Sequence, residues 1–429
     1  MTKKNGHDQQ DIGGLEDRIV EDVYGTRQYT LDGLCEKIIE QFGMETNGRL
    51  DILADLNTLQ KQKQAIREVA EYVLGVESVM LQGQERTWLL DRLHRDLYRF
   101  GALETVLNDE AVTEININSP KEIFLRRGFG DLERVNVSFR DGTQLAQMLQ
   151  RVLTPLGFDL WKGEPFIETG LKLMGRPVRF SLAGPPMTPY YTGQIRLHPS
   201  QPMTWDDLQG SIPKIAADML MGIVRNGHGL LMVGDGGMGK TTLLANLLAA
   251  SRAEKSGLVQ RAPEIQPNYL PPHATDYTLI SADAPSTANF EKQIRAALGM
   301  RGLFLDEIQG DEGTAFWQVL SSDTKPQVVA TFRGKANIAR LYSAIGMVVR
   351  KVYRSVPQSQ IDAALMERLP FVAILEQQEA GQAPRMSLIG QWARVEEGEA
   401  GLTIEPLLTW ARGDDRPKRT DIQMRLESD

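Results

Sequence analysis

The stretch Gly234-Asp235-Gly236-Gly237-Met238-Gly239-Lys240-Thr241 has the spacing G-x-x-x-x-G-K-T. In such a loop the glycines let successive backbone N–H groups turn inward around phosphate oxygens. A helix that begins at the end of the loop aims its positive N-terminal end at the same charge. Lys240 would reach the β- and γ-phosphates of a nucleotide, and the Thr241 hydroxyl would ligate Mg²⁺, with Thr242 next in the helix. The flanks "LLMV" and "LLANLL" read as a buried strand and a helix, the context this loop needs. ATP with Mg²⁺ is the ligand these residues imply.

A second chemical signal lies in "GLFLDEI", an apolar strand that ends on Asp306 and Glu307. An acidic residue at the end of a neighbouring strand holds the Mg²⁺ shell in nucleotide-binding folds of this kind, and a glutamate beside it can polarise water. Asp306 is therefore a metal candidate with Thr241, and Glu307 the catalytic candidate with Lys240.

The elements that must position these groups follow from periodicity. The chain has 429 residues, which suggests two or three domains, with 41% hydrophobic and 24% charged residues as in a globular protein. From Trp205 onward, helix and strand alternate: "IPKIAADMLMGIVRNG", "GLLMVG", "TTLLANLLAASR", "GLFLDEI", "PQVVATF". That alternation predicts an α/β domain with a parallel sheet, over 206–412. Residues 103–197 mix short strands and a helix without that regularity and read as a small α+β domain, joined by a proline-bearing linker at 198–205. Residues 29–102 carry three amphipathic helices, each ending on glycine, which read as a helical bundle. Residues 1–28 read as a disordered tail and 413–429 as a frayed extension.

Composition narrows the function classes. The net charge of −8 argues against a dedicated nucleic-acid binder. The single cysteine, Cys35, excludes a disulfide framework and a four-cysteine zinc site. The polar start has no secretory h-region, and no run of about 18 apolar residues predicts a membrane span. A cytoplasmic protein is expected.

The order of these pieces resembles the secretion and pilus ATPases of the type II/type IV secretion superfamily, in particular the tight-adherence (Flp) pilus ATPases of CpaF/TadA type. The likeness spans about residues 95–410. It is carried by "LYRFGALETVLNDEAVTEININSPKEIFLRR", "GRPVRFSLAGPP", "GQIRLHP", "IRAALGMRGLFLDEIQGDEGTAFWQVLSS" and "SQIDAALMERLPFVAILEQQ". The resemblance implies a hexameric ring whose protomers bind ATP between the N-terminal domain and a RecA-like P-loop domain. It implies hydrolysis that moves one domain against the other and drives pilus subunits or secreted substrates through an inner-membrane platform protein. The expected location is cytoplasmic and peripheral at the inner membrane. It assigns Glu307 as the Walker B glutamate. Arg196 becomes a charge-neutralising catalytic arginine and Arg179 a second, nucleotide-binding one, since a guanidinium can bind phosphate oxygens bidentately.

Three departures from the family pattern, at four positions, bear on activity. Where the family's aspartate box carries glutamate and aspartate, this chain has Gln260 and Arg261 in "LVQRAPEIQP". Gln260 cannot be a carboxylate base, though it can orient water, and Glu264 is nearby. In "VVATFRGKANIA" the histidine of the histidine box is Arg333, which can contact phosphate but cannot exchange a proton near neutral pH. Asp306 stands where the family commonly has glycine. These changes leave two readings: a ring ATPase that is slowed by the replacements, or a hydrolysis-weak nucleotide-binding scaffold or regulatory subunit. If the aspartate box is the weak point, Gln260→Glu with Arg261→Asp raises turnover. A nucleic-acid motor is disfavoured by the acidic balance.

Overall fold

The structure is a computed structural model that describes residues 15–46, 58–162, 165–277, 286–308, 313–335, 337–379, 381–395, 401–412, 414 and 416–425, with backbone alone at 286–289. Its contacts divide the chain into two compact units, Met1–Asn108 with Val137–Val152, and Asp109–Asn136 with Leu153–Asp429. Of the expected N-terminal tail, residues 1–14 lie outside the described residues, but the remainder is ordered. Ile19–Glu21 (β1) pairs antiparallel with Gln28–Thr30 (β2).

The first unit is helical. In α1 (Leu31–Thr46), Leu31, Leu34, Cys35, Ile38 and Phe42 recur every three or four residues and form one buried stripe. They share a core with Ile66, Val69 and Val73 of α2 (Leu59–Val76) and with Trp88, Leu89 and Leu93 of α3 (Gln84–Tyr98). Thr58 caps α2, its hydroxyl accepting the Lys61 N–H at 3.3 Å. Burial pushes the Cys35 thiol up, so it is an inert core residue.

The second unit holds two sheets. The smaller has six antiparallel strands: β3 (Val112–Ser119), β4 (Glu122–Arg127), β5 (Leu132–Arg134), β6 (Phe166–Leu173), β7 (Arg176–Ala183) and β8 (Thr192–Leu197), in the order β5-β4-β3-β8-β7-β6. Register places Arg179 of β7 directly opposite Arg196 of β8, and Arg196 opposite Glu114 of β3.

The larger sheet has nine strands: β9 (Leu230–Gly234), β10 (Ser256–Val259), β11 (Ala274–Asp276), β12 (Gly302–Ile308), β13 (Gln327–Arg333), β14 (Phe371–Glu376), β15 (Arg385–Arg394), β16 (Leu402–Thr409) and β17 (Lys418–Arg419). Their order is β11-β10-β12-β13-β9-β14-β15-β16-β17, parallel as far as β14 and antiparallel beyond it. Strands β9 and β12 are buried along their whole length, which is why they read as unbroken apolar runs. Successive residues feed opposite faces. Leu230 and Met232 join a core with Leu220 and Ile223 of Lys214–Arg225 (α4) and Leu243, Leu244 and Leu247 of Lys240–Ala250 (α5). Leu231 and Val233 join Phe290 and Ile294 of Ser286–Ala297 (α6), Phe316 of Gly313–Leu320 (α7), Ile345 of Ile338–Arg350 (α8) and Leu365 of Gln358–Arg368 (α9). The unit is a mixed α/β structure, with helices on both faces of this sheet. The expected frayed C-terminus is partly a strand. β17 pairs with β16, and the Arg425 N–H donates to Gln391 Oε1 at 2.9 Å.

Among the described residues, no helix is long and apolar enough to cross a membrane.

The two sheets approach closely at Gly170 of β6, which faces Arg179 across the ladder. A Cβ built there would lie 2.6 Å from Pro263 Cδ and 3.0 Å from Ala262 Cβ, so the missing side chain is what admits this segment. Gly170→Ala is expected to destabilise the protein by about 1–3 kcal/mol. Thermal denaturation checks this, and an unchanged melting temperature would show that the 262–263 segment yields freely.

Candidate functional site

The parallel strands bring their carboxyl ends to one edge, where α/β sheets ordinarily bind ligands. Gly234 ends β9, Glu307 and Ile308 end β12, and Arg333 ends β13 in register with Gly234. Residues distant in sequence thus meet at one place.

The glycine loop lies between β9 and α5. Gly237 and Gly239 have φ of +79° and +78°, the left-handed region that glycine enters without a Cβ clash. Asp235 Oδ1 accepts the Gly236 N–H at 2.8 Å. Lys240 is buried and folds back on the loop, donating to the Gly234 carbonyl at 2.8 Å and the Asp235 carbonyl at 2.7 Å. Burial lowers its pKa, opposed by Asp306 and Glu307. Met238 packs on the core beneath the loop, and Thr241 and Thr242 border a cavity of about 210 Å³ that is also lined by Asn246, His198, Glu264 and Tyr269.

The acidic pair owes its geometry to a β-bulge. Leu305 pairs with Ala330 and Ile308 with Phe332, so Asp306 and Glu307 together oppose the single residue Thr331. Glu307 takes φ of +60°, uncommon for a side chain of its size. Thr331 satisfies both residues. Its hydroxyl accepts the Glu307 N–H at 2.6 Å and donates to Asp306 Oδ1 at 2.8 Å. The other carboxylate oxygen, Asp306 Oδ2, accepts from the Thr241 hydroxyl at 2.9 Å. The bulge turns two consecutive carboxylates to the site, where a regular strand would send them to opposite faces.

Arg179 and Arg196 of the smaller sheet both reach this edge. Arg179 is buried and donates to Glu307 Oε2 and Glu168 Oε1, with Glu264 Oε1 3.7 Å away. Burial works against its charge, but Glu307, Glu264 and Glu168 outweigh it and raise its pKa. Arg196 donates Nε–H to Gln194 Oε1 at 2.8 Å and lies over the loop, 3.0 Å from where a Cβ on Gly236 would sit. Burial and then Arg179 lower its pKa. Arg333 lies 4.0 Å from Glu307 Oε1 and 3.9 Å from Asp235 Oδ1.

Two box positions behave differently from expectation. Gln260 is fully buried, and its amide is engaged at both ends by Ile265, accepting the N–H at 2.7 Å and donating to the carbonyl at 3.0 Å. It is a local brace. Arg261 donates Nε–H to the Glu307 carbonyl at 2.9 Å and sets its guanidinium carbon over the Phe290 ring, 5.0 Å from the ring centre. Sequence reasoning passed over Thr331 and Glu168. A lone hydroxyl in the otherwise apolar "VVATF" was the available signal for the first; nothing local marks the second.

No family profile matches the chain. A candidate conjugal transfer protein of Mycobacterium tuberculosis is 28% identical over 232 residues, covering 51% of this chain and 65% of that protein. The chain therefore spans just under two thirds of that relative's length. Solved structures that align with it include the VirB11 ATPase of the Brucella suis type IV secretion system (19% identity, 68% of this chain and 92% of that one, TM-score 0.33). The DotB ATPase of Legionella pneumophila also aligns (17% identity, 69% and 80%, TM-score 0.45). The chain is similar to secretion ATPases and to a conjugal transfer protein.

Burial raises the Asp306 pKa from 3.8 to about 7, reinforced by Glu264 and Glu307 and opposed by its bonds from Thr331 and Thr241. Between these values the folded chain holds a proton that the unfolded chain has released. Stability then falls as pH rises through that window and levels off above about 7. Asp306→Asn is therefore expected to raise the melting temperature in metal-free buffer, with the gain growing from pH 5 to pH 7. Melting curves across that range check it; a variant less stable than the parent at pH 7 would overturn it.

Proposed function

We propose that this chain is an ATP-hydrolysing motor subunit of a pilus-assembly or secretion machine, of tight-adherence CpaF/TadA type. The single observation that carries the reading is the convergence, at one sheet edge, of the glycine loop, the Thr241–Asp306 pair and Glu307 held by Arg179. In this reading residues 206–412 form a RecA-like domain that binds ATP, and residues 103–197 supply the arginines. The turn Gly234–Gly239 receives the phosphates on its N–H groups, and Lys240 exchanges its two loop carbonyls for phosphate oxygens. The cavity beside Thr242 has room for the nucleoside end to extend into it.

The donor set suits Mg²⁺. Among the described residues no group of three or more His, Cys, Asp or Glu forms a metal cage, whereas one hydroxyl and one carboxylate lie side by side. Mg²⁺ favours such sparse oxygen sites, completed by waters and phosphates. Thr241 and Asp306 would hold it, and it would neutralise charge on the phosphate oxygens. Glu307 would take a proton from the attacking water once its carboxylate is free of Arg179, which would move to the phosphate with Arg196. Arg333 is also within reach of that charge.

The hexameric ring, the inner-membrane platform partner and a cytoplasmic, peripheral location belong to the same proposal. They rest on the resemblance and on the likeness to a conjugal transfer protein. A second reading, a hydrolysis-weak scaffold or regulatory subunit, is favoured by the guanidinium groups that occupy Glu307.

Two substitutions separate the readings. Lys240→Ala is expected to abolish both binding of a fluorescent ADP and phosphate release. Glu307→Gln should retain binding and lose about 10²- to 10⁴-fold in release. Wild-type release no faster than that of Lys240→Ala would leave only the scaffold. Native mass spectrometry with and without ATP tests the ring, and a monomer under both conditions would refute it.

A further inference from the structure

We propose that Arg261 is a positioning residue that fixes the peptide of Glu307, so that the departure from an aspartate box supports the glutamate instead of weakening it. Glu307 sits in a bulge with a left-handed φ of +60°, a conformation that persists only where its surroundings over-determine it. Its N–H is held by Thr331 Oγ1 at 2.6 Å, its carbonyl by Arg261 Nε at 2.9 Å and its carboxylate by Arg179. Thr331 and Arg261 thus hold the two flanking peptide groups, which decide where the side chain can point.

The residue type at 261 follows from the bulge. The Glu307 carbonyl is an acceptor that needs a donor. A carboxylate at 261 would set lone pairs against that oxygen, whereas a guanidinium supplies an N–H and keeps its charge when buried. Phe290 holds the guanidinium by a cation–π contact, and Pro263 and Ala262, wedged at Gly170, fix the backbone that carries it. Gln260 adds to this rigidity by closing the 260–265 turn on itself. Arg261 acts through Glu307.

The consequence for activity rests on the hydrolysis reading; the consequence for the backbone does not. Four full-length variants test both: Arg261→Gln, Arg261→Lys, Phe290→Leu and the double substitution Gln260→Glu with Arg261→Asp. Arg261→Gln is expected to lower kcat by about 10- to 100-fold, the usual cost of a reacting group displaced by about 1 Å. KM and the affinity for a fluorescent ADP should stay within about twofold, because the glycine loop is untouched. Backbone amide exchange at Ile308 should accelerate, since that N–H shares the peptide Arg261 holds. Arg261→Lys should restore part of both, and Phe290→Leu should give a smaller shift in the same direction. The double substitution should lower kcat as well. If Arg261→Gln does not fold, the Lys and Leu variants carry the comparison.

Unchanged kcat and unchanged Ile308 exchange in Arg261→Gln would overturn the proposal. So would a rise in kcat for the double substitution, which would mark the aspartate box as the missing element. Wild-type phosphate release no faster than that of Lys240→Ala would sink the hydrolysis reading alone, and Ile308 exchange would then decide the role of Arg261.

Discussion

One hydroxyl sets the geometry of this site. Thr331 stands opposite two residues of β12, where a regular ladder would give it one partner. By accepting from the Glu307 N–H and donating to Asp306, it serves both halves of the bulge with a single oxygen. Without the extra residue, Asp306 and Glu307 would point to opposite faces of a buried strand, and one of them would enter an apolar core. A buried, unpaired carboxylate there would cost several kcal/mol or stay protonated. The bulge makes consecutive carboxylates compatible with a strand that is otherwise apolar throughout.

The electrostatics follow from the same arrangement. Asp306, Glu307, Glu264 and Glu168 are gathered within a region where water screens poorly, and Arg179 is the guanidinium that reaches three of them. It can do so because β7 and β8 present Arg179 and Arg196 side by side, in direct register. Burial lowers the Arg196 pKa most, and repulsion from Arg179 on the neighbouring strand lowers it further. That repulsion is offset by carboxylates around Arg179 and Glu114 opposite Arg196. The sheet therefore holds positive charge that is already out of water where an incoming anion would meet it.

The parts legible in the sequence were those that lie close together in it. The glycine loop occupies eight consecutive residues, its strand and helix flank it directly, and the acidic pair closes its own apolar run. The α/β alternation was readable because each element buries a stripe or a face of its own. What could not be read is register. Nothing in "GLFLDEI" or "PQVVATF" alone shows that the two strands slip by one residue between Leu305 and Ile308. Arg261 illustrates the same limit. By type it looked like a lost carboxylate; by position it is a donor to a carbonyl that exists only because of the bulge. Gln260 looked like a weakened base and is a brace on Ile265. At the chain's ends, local composition hid the pairing of β1 with β2 and of β17 with β16, because pairing is decided by a distant partner.

Lys240 donates to two carbonyls of its own loop, and the Glu307 carboxylate accepts from Arg179. Each of the two cations, Lys240 and Arg179, has an internal oxygen partner of the kind a phosphate would replace, since carbonyl and carboxylate oxygens serve a cation as phosphate oxygens do. An anion entering the loop would compete with Gly234 and Asp235 for Lys240, and with Glu307 for Arg179. The second exchange would free a carboxylate as the anion settles.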